Sequence, residues 1–320
     1  MSNILVTGGY GFIGSNWVNN NYKDNNIMII DNLSVGSNPR NITAISEDID
    51  GIDIDICELK AENLPANGFT PEYIVHFAAE SHVDRSITNP LGFVQTNVMG
   101  TANMLEIARH FNCRFLHVST DEVFGHLGID DDPFTETTPY APRSPYSASK
   151  ASSDHLVRAY HETYGLDVVI TNCCNNMGPH QFPEKLIPVI IQKAMNEEPI
   201  PVYGKGDNVR EWIFVEDHND AITNVLANGV PGETYCIGSD VEMKNIDLVN
   251  LICEKLDHDL PRNEGSYKDL ITFVEDRMGH DMRYAINSSK IRTELGWEPK
   301  HSFDEGIEKT VQWYIKEFSK

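Results

Sequence analysis

The first 175 positions alternate between two hydrophobic periods. Short apolar runs recur at Ile4-Leu5-Val6, Ile27-Met28-Ile29-Ile30, Tyr73 to Phe77, Arg114 to Val118 and Val168-Val169-Ile170. Each is β-branched or aromatic and is followed by turn residues. Between them run longer amphipathic stretches, such as Asn97 to Phe111 and Tyr146 to Tyr164. Continuous apolar strands separated by helices predict a parallel sheet covered on both faces. The fold class is therefore α/β, with a doubly wound parallel sheet over residues 1–174. Beyond Cys174 the pattern loosens, punctuated by Pro179, Pro183, Pro188, Pro199 and Pro201. A smaller mixed α/β domain is expected over 175–320, with later segments returning to the first. The acidic stretches Glu47 to Asp55 and Asp130 to Asp132 read as solvated loops, and Phe303 to Phe318 as a closing amphipathic helix.

Charge narrows the function classes. The chain of 320 residues carries 48 acidic and 25 basic side chains, a formal charge of −23. Nucleic-acid binding needs a basic face, so that partner is not expected. An anionic ligand would have to be held by a few locally placed cations. The six cysteines form no CxxC pair and no His-Cys spacing, so neither a metal site nor a disulfide framework is expected. No apolar run approaches the ~18 residues of a membrane span. The N-terminus reads as a strand entering a glycine turn rather than a signal peptide, so a cytoplasmic location is the default expectation.

Gly8-Gly9-Tyr10-Gly11-Phe12-Ile13-Gly14 follows the first strand and precedes a helical pattern from Ser15 to Tyr22. Glycines there let the backbone approach a pyrophosphate, and the helix start offers it N–H groups. Asp31 ends the next strand, within the window of about 20 residues in which an acid binds the adenosine ribose. Its carboxylate would repel a 2′-phosphate, so NAD is favoured over NADP. Together these features predict a Rossmann domain.

Ser144-Pro145-Tyr146-Ser147-Ala148-Ser149-Lys150 opens a helix, with Ser144 able to cap and Pro145 suited to the first position. Tyr146 and Lys150, four apart, share a face. An ammonium beside a phenol favours the phenolate, so the pair can take a hydroxyl proton. The spacing alone is frequent by chance; coupled to the glycine turn it reads as a short-chain dehydrogenase/reductase signature. The strand Phe115 to Val118 runs into Ser119-Thr120-Asp121-Glu122-Val123-Phe124-Gly125. Ligands of doubly wound folds lie at this sheet edge. There a hydroxyl could hydrogen-bond the same substrate oxygen as Tyr146. Two adjacent carboxyls, one protonated and one ionised, would place an acid beside a base. The alternative is a solvated turn.

These residues, with His76 to Ser86, Asn175 to Pro179, Phe182 to Pro188 and Asp276 to Asp281, resemble the nucleotide-sugar 4,6-dehydratases over nearly the whole chain. The acidic pair separates that family from the related 4-epimerases. The resemblance implies an internal redox cycle. Tyr146 takes the 4-hydroxyl proton as hydride passes to NAD. Glu122 removes the carbon-5 proton, Asp121 protonates the departing 6-hydroxyl, and hydride returns to carbon 6. It also implies cofactor contacts at Gly8, Gly11, Phe12, Ile13, Gly14, Asp31, Asn32, Leu33, Ser34, Asp55, Ile56, Phe77, Ala78, Ala79, Glu80, Thr96, Tyr146, Lys150 and Asn176. Implied substrate contacts are Ser81, Thr120, Asn175, Lys185, Leu186, Pro201, Val202, Tyr203, Arg210, Asn245, Arg277 and His280. Lys185, Arg210, Arg277 and His280 would be the cations that hold the diphosphate, whereas Arg85 reads as structural.

Phe124, Met177 and Met278 depart from the residues usual in the family. The expected substrate is dTDP-glucose first and UDP-glucose second, and a homodimer built on the helices near 97–111 and 146–164 is implied. The other readings are an epimerase, a dehydratase that also epimerises carbon 5, and a non-catalytic NAD-binding module.

Overall fold

The computed structural model describes residues 1–44, 49–64, 68–276 and 280–320. The strands, in chain order, are β1 (Ser2–Thr7), β2 (Asn25–Asp31), β3 (Ile49–Asp53), β4 (Tyr73–His76), β5 (Arg114–Thr120), β6 (Val168–Cys173), β7 (Asn175–Met177), β8 (Ile200–Tyr203), β9 (Val209–Phe214), β10 (Thr234–Ile237), β11 (Glu242–Lys244) and β12 (Ile271–Val274). The helices are α1 (Phe12–Asn21), α2 (Val83–Thr88), α3 (Pro90–Phe93), α4 (Thr101–Phe111), α5 (Pro145–Tyr164), α6 (Leu186–Met195), α7 (Val215–Asn228), α8 (Asn245–Asp259), α9 (Ser289–Leu295) and α10 (Phe303–Phe318).

Seven strands form one sheet in the order β10-β6-β5-β4-β1-β2-β3, every pair parallel. The chain moves outward from β1 to β3 and then crosses back to β4. The crevice beyond the C-terminal ends of β1 and β4 is thus the switch point at which such sheets bind ligands. Apolar side chains bury both faces. Trp17, Val18, Ile222 and Val225 cover one, and Met104, Leu105, Ile107 and Val157 the other. This is the doubly wound α/β fold expected from the sequence.

Two smaller sheets, β11-β9-β7 and β12-β8, build the second lobe. Its core joins Ile187, Ile190 and Ile191 of α6, Leu248 and Ile252 of α8, and Ile307 and Val311 of α10. The division is not linear in the chain, because β10 pairs with β6 in the large sheet.

Two expectations change. Part of the acidic stretch Glu47 to Asp55 is not loop: β3 pairs with β2 at the sheet edge, its Asp50, Gly51 and Asp53 exposed. An edge strand buries little, so it leaves almost no apolar signature. Residues 45–48 lie outside the described set. The helix expected from Asn97 begins earlier, as a π-helical turn over Val94–Gly100 that runs into α4. Gly100 there packs so closely on Ile56 that a Cβ would stand 2.4 Å from its Cδ1. Among the described residues no helix is long and apolar enough to cross a membrane.

Candidate active site

The turn after β1 is shaped for a close ligand. Gly8 has φ +68°, and a Cβ on it would lie 2.7 Å from the Ala78 nitrogen. A Cβ on Gly14 would lie 2.3 Å from the Gly8 oxygen. Both positions therefore require glycine. Gly11 caps α1 without a side chain, leaving the helix start open to an anion. At the end of β2, Asp31 accepts hydrogen bonds from the Tyr10 nitrogen at 3.0 Å, the Leu33 nitrogen at 3.0 Å and the Ser37 hydroxyl at 2.7 Å. A cradle without Cβ atoms, a free helix start and a fixed acid fit a dinucleotide.

The catalytic candidates converge from two elements. Ser144 and Ser147 form a reciprocal capping box, and Pro145 occupies the first turn of α5. Tyr146 and Lys150 are both buried on the face turned toward β5. Lys150 Nζ donates to the Val118 carbonyl at 2.9 Å. At the C-terminal end of β5, Thr120 caps the short helical turn Asp121–Phe124, its hydroxyl accepting from the Glu122 nitrogen at 3.3 Å. This turn presents Asp121 and Glu122 to the same cleft as Tyr146 and Lys150.

Electrostatics distinguish the groups. Burial, and then Glu122, pushes the Asp121 carboxyl up to about 8, so it carries a proton at neutral pH. Among the described residues its Oδ2 has no hydrogen-bond partner. Burial lowers Lys150 to about 8, opposed by Asp154 and Cys173. Tyr146 runs against the lowering expected beside an ammonium. Burial, followed by Glu122, raises it well above its ordinary value, and a hydrogen bond with Thr120 only partly offsets this. Desolvation of a phenol exceeds the pull of a lysine that is itself bound to a backbone carbonyl.

The cleft, about 350 Å³, brings most expected positions together. Gly8, Gly11, Phe12, Ile13, Gly14, Asp31, Asn32, Ser34, Ile56, Phe77, Ala78, Ala79, Glu80, Thr96 and Asn176 line it. So do Ser81, Asn175, Lys185 and Leu186. Leu33 and Asp55 do not line it. Asp55 instead accepts from the Cys57 nitrogen and the Asn32 amide.

Pro201, Val202, Tyr203, Arg210, Asn245 and His280 also stand back from the cleft lining, on the second lobe. There His280 meets the Tyr203 ring edge-on, and its Nδ1 is 2.6 Å from Asp276. The Arg210 guanidinium lies 4.4 Å over the Tyr284 ring and donates to the carbonyls of Val209 and Asp281. Its charge is nevertheless felt at Asp121. Arg277 and Met278 lie outside the described residues. Arg85 pairs with Glu184 of the cleft lining, joining α2 to the segment before α6.

Sequence reasoning missed Ser37, Cys173, Cys174, Gln181, Phe182 and Trp212, all of which line the cleft. Cys173 ends β6 beside β5 and Cys174 follows it, so the sheet-edge rule could have found them. The departures from the family pattern fill apolar space. Phe124 packs edge-on against Tyr140, with ring centroids 5.2 Å apart, and Met177 is fully buried against Gly306.

A family model described as GDP-mannose 4,6 dehydratase matches residues 5–310. A dTDP-glucose 4,6-dehydratase of Neisseria meningitidis serogroup B is 49% identical, over 98% of this chain and 94% of its own. The chain belongs to the nucleotide-sugar 4,6-dehydratase family. The crystal structure of the dTDP-glucose 4,6-dehydratase DesIV from Streptomyces venezuelae, with NAD bound, superposes with a TM-score of 0.90. It is 43% identical and covers 98% of this chain and 97% of its own. UDP-glucose 4-epimerase from Thermotoga maritima shares the fold at a TM-score of 0.88, covering 98% and 99%, but is 27% identical. The acid pair of this 4,6-dehydratase family member thus sits on a scaffold that epimerases also use.

Proposed function

We propose that this protein is an NAD-dependent hydro-lyase that converts dTDP-glucose to the dTDP-linked 4-keto-6-deoxy sugar and water. The observation that carries this is the pairing, in one cleft, of a carboxyl held protonated to about pH 8 with Glu122, opposite Tyr146 and Lys150. Relatives of the same name near 49% identity support dTDP over UDP. The much lower identity of the 4-epimerases supports elimination over epimerisation.

NAD fits the cradle of Gly8, Gly11 and Gly14, with Asp31 at the adenosine ribose and Tyr146 and Lys150 at the reacting end. When bound, it would supply a reversible hydride acceptor for the hydride lost from carbon 4 and restored to carbon 6 once water has left, with the proton held by Glu122 returning to carbon 5. The Lys150 ammonium, charged below about pH 8, stabilises the Tyr146 phenolate left when the phenol gives its own proton to solvent, and that phenolate takes the proton of the 4-hydroxyl. Thr120 orients the same oxygen. The ketone acidifies the hydrogen at carbon 5, which Glu122 removes. Asp121, neutral until about pH 8, gives its proton to the departing 6-hydroxyl.

Residues 1–174, together with β10, form the NAD-binding unit, and the remainder of 175–320 closes over the nucleotide sugar. Lys185, Arg210, Arg277 and His280 supply positive charge for the diphosphate. Leu91, Val94 and Met99, exposed at 77%, 45% and 55%, favour burial against a second copy along α3, α4 and α5 as a homodimer. A cytoplasmic setting suits a nucleotide-sugar substrate.

The test is product NMR with dTDP-glucose, UDP-glucose and UDP-N-acetylglucosamine in parallel. Loss of the 6-hydroxyl from dTDP-glucose is the expected result. A product that keeps the 6-hydroxyl with carbon 4 inverted overturns the reading in favour of an epimerase. In Glu122→Gln the oxidation should proceed and elimination stop, so reduced cofactor accumulates on the protein without product. Normal product formation would refute the role of Glu122.

A further inference from the structure

Behind Lys150, on the side away from the cleft, lies a buried ionic centre. Asp154 follows Tyr146 and Lys150 at the next helical repeat of α5 and is fully buried. Its Oδ2 accepts from the Tyr140 hydroxyl at 2.7 Å, the Ser119 hydroxyl at 3.0 Å and the Asn172 amide at 3.3 Å. His117 Nε2 stands 3.2 Å from Oδ1, out of line for a full hydrogen bond. Tyr140 in turn accepts from Arg158 at 2.8 Å. A buried carboxylate needs such donors, because an unpaired charge in the interior is costly. Two of the donors adjoin Thr120, the residue before the acid pair. Ser119 immediately precedes Thr120, and the Asn172 amide also donates to the Thr120 carbonyl at 2.9 Å.

We propose that Asp154 is a positioning residue of the reaction. It keeps the Lys150 ammonium charged and fixes the end of β5 that carries Thr120, Asp121 and Glu122. It touches neither cofactor nor substrate site and does not line the cleft. Lys150 is faced by Tyr146 and Asp154 from α5, Cys173 from β6, His117 from β5 and His76 from β4. Cys173 is pushed up to about 12 and stays a thiol. His117 is lowered to about 4 and His76 well below its ordinary value, both chiefly by burial, so both are neutral at pH 7. Burial alone drives Asp154 up, but the neighbouring His117 first, and then Lys150 and the Tyr140 hydroxyl, reverse this and hold it below the usual range. Asp154 is therefore the fixed negative charge that offsets burial of the lysine.

The inference rests on Lys150 serving Tyr146 as proposed above, but its test needs no turnover. The NAD-saturated protein is labelled with 13Cε-lysine and the Lys150 resonance, assigned with Lys150→Met, is titrated. Wild type is expected to titrate near pH 8. In Asp154→Asn the midpoint should fall by about one pH unit or more, the lower end for loss of an opposite charge one helical turn away, and Asp154→Glu should restore most of it. Tyr140→Phe and Ser119→Ala remove one donor each while leaving the charge, and should leave the midpoint close to that of wild type. If Asp154→Asn does not fold, Asp154→Ser, which also removes the charge, is titrated in its place. An unchanged Lys150 midpoint in a folded variant without the Asp154 charge overturns the assignment, even if the wild type dehydrates dTDP-glucose.

Discussion

Asp121→Asn separates what the acid pair costs the fold from what it does for the reaction. In the fold, burial and then Glu122 raise Asp121 from 3.8 to about 8. A group raised in this way stabilises the fold fully below its unfolded pKa and loses that stabilisation as pH climbs to the folded value. The window therefore runs from about pH 4 to about pH 8, and each unit within it is worth ~1.4 kcal/mol. Between pH 5 and 8 the share of this one group reaches on the order of 4 kcal/mol as an upper figure. Asparagine has nearly the same shape and no proton to lose, so it escapes the penalty. Urea unfolding of both proteins at pH 5, 6, 7 and 8 measures the difference. The variant should gain on wild type steadily with pH, while its elimination rate falls roughly 10²- to 10⁴-fold, the usual contribution of a positioned acid. A stability difference that is constant across pH would refute the reasoning, because it would mean Asp121 is ionised in the fold at every pH tested.

Two further predictions concern the elements that hold the site. Gly14→Ala places a methyl 2.3 Å from the Gly8 oxygen. It should weaken NAD binding by roughly tenfold or more, about 1.4 kcal/mol, and an unchanged Kd by calorimetry would contradict the cradle. Ser144→Ala removes one arm of the capping box at α5, the bond that its hydroxyl accepts from the Ser147 nitrogen. It should cost about 1 kcal/mol of stability and lower kcat more than it changes KM, because Tyr146 lies in the first turn. Ser144→Asp should recover both, and equal kcat in all three proteins would show that the cap does not position Tyr146.

Much of the site was legible in the chain because its parts are local. The glycine turn, Asp31 at the next strand end, the Ser144-Pro145 start and the four-residue spacing of Tyr146 and Lys150 each follow from one element's own geometry. Adjacency in sequence brought Asp121 beside Glu122, and the strand ahead of them told which sheet edge they occupy. Those features are periodicities and turn chemistry, which the chain carries without tertiary context.

The rest depended on elements far apart in sequence. The protonation of Asp121 and the raised pKa of Tyr146 follow from burial by surrounding elements, and no local pattern encodes desolvation. Arg210 is set over Tyr284 and bound to the Asp281 carbonyl, 71 positions away. Asp154 on its own reads as one more polar residue of an amphipathic helix. Only the packing of α5 on β5 and β6 encloses it among Ser119, Tyr140 and Asn172. The sequence by itself determined the doubly wound sheet and the identity of the reacting groups, because strand and helix periods and short motifs are local. The tertiary structure decided which of those groups hold their protons, because that depends on how much water the assembled fold removes from each.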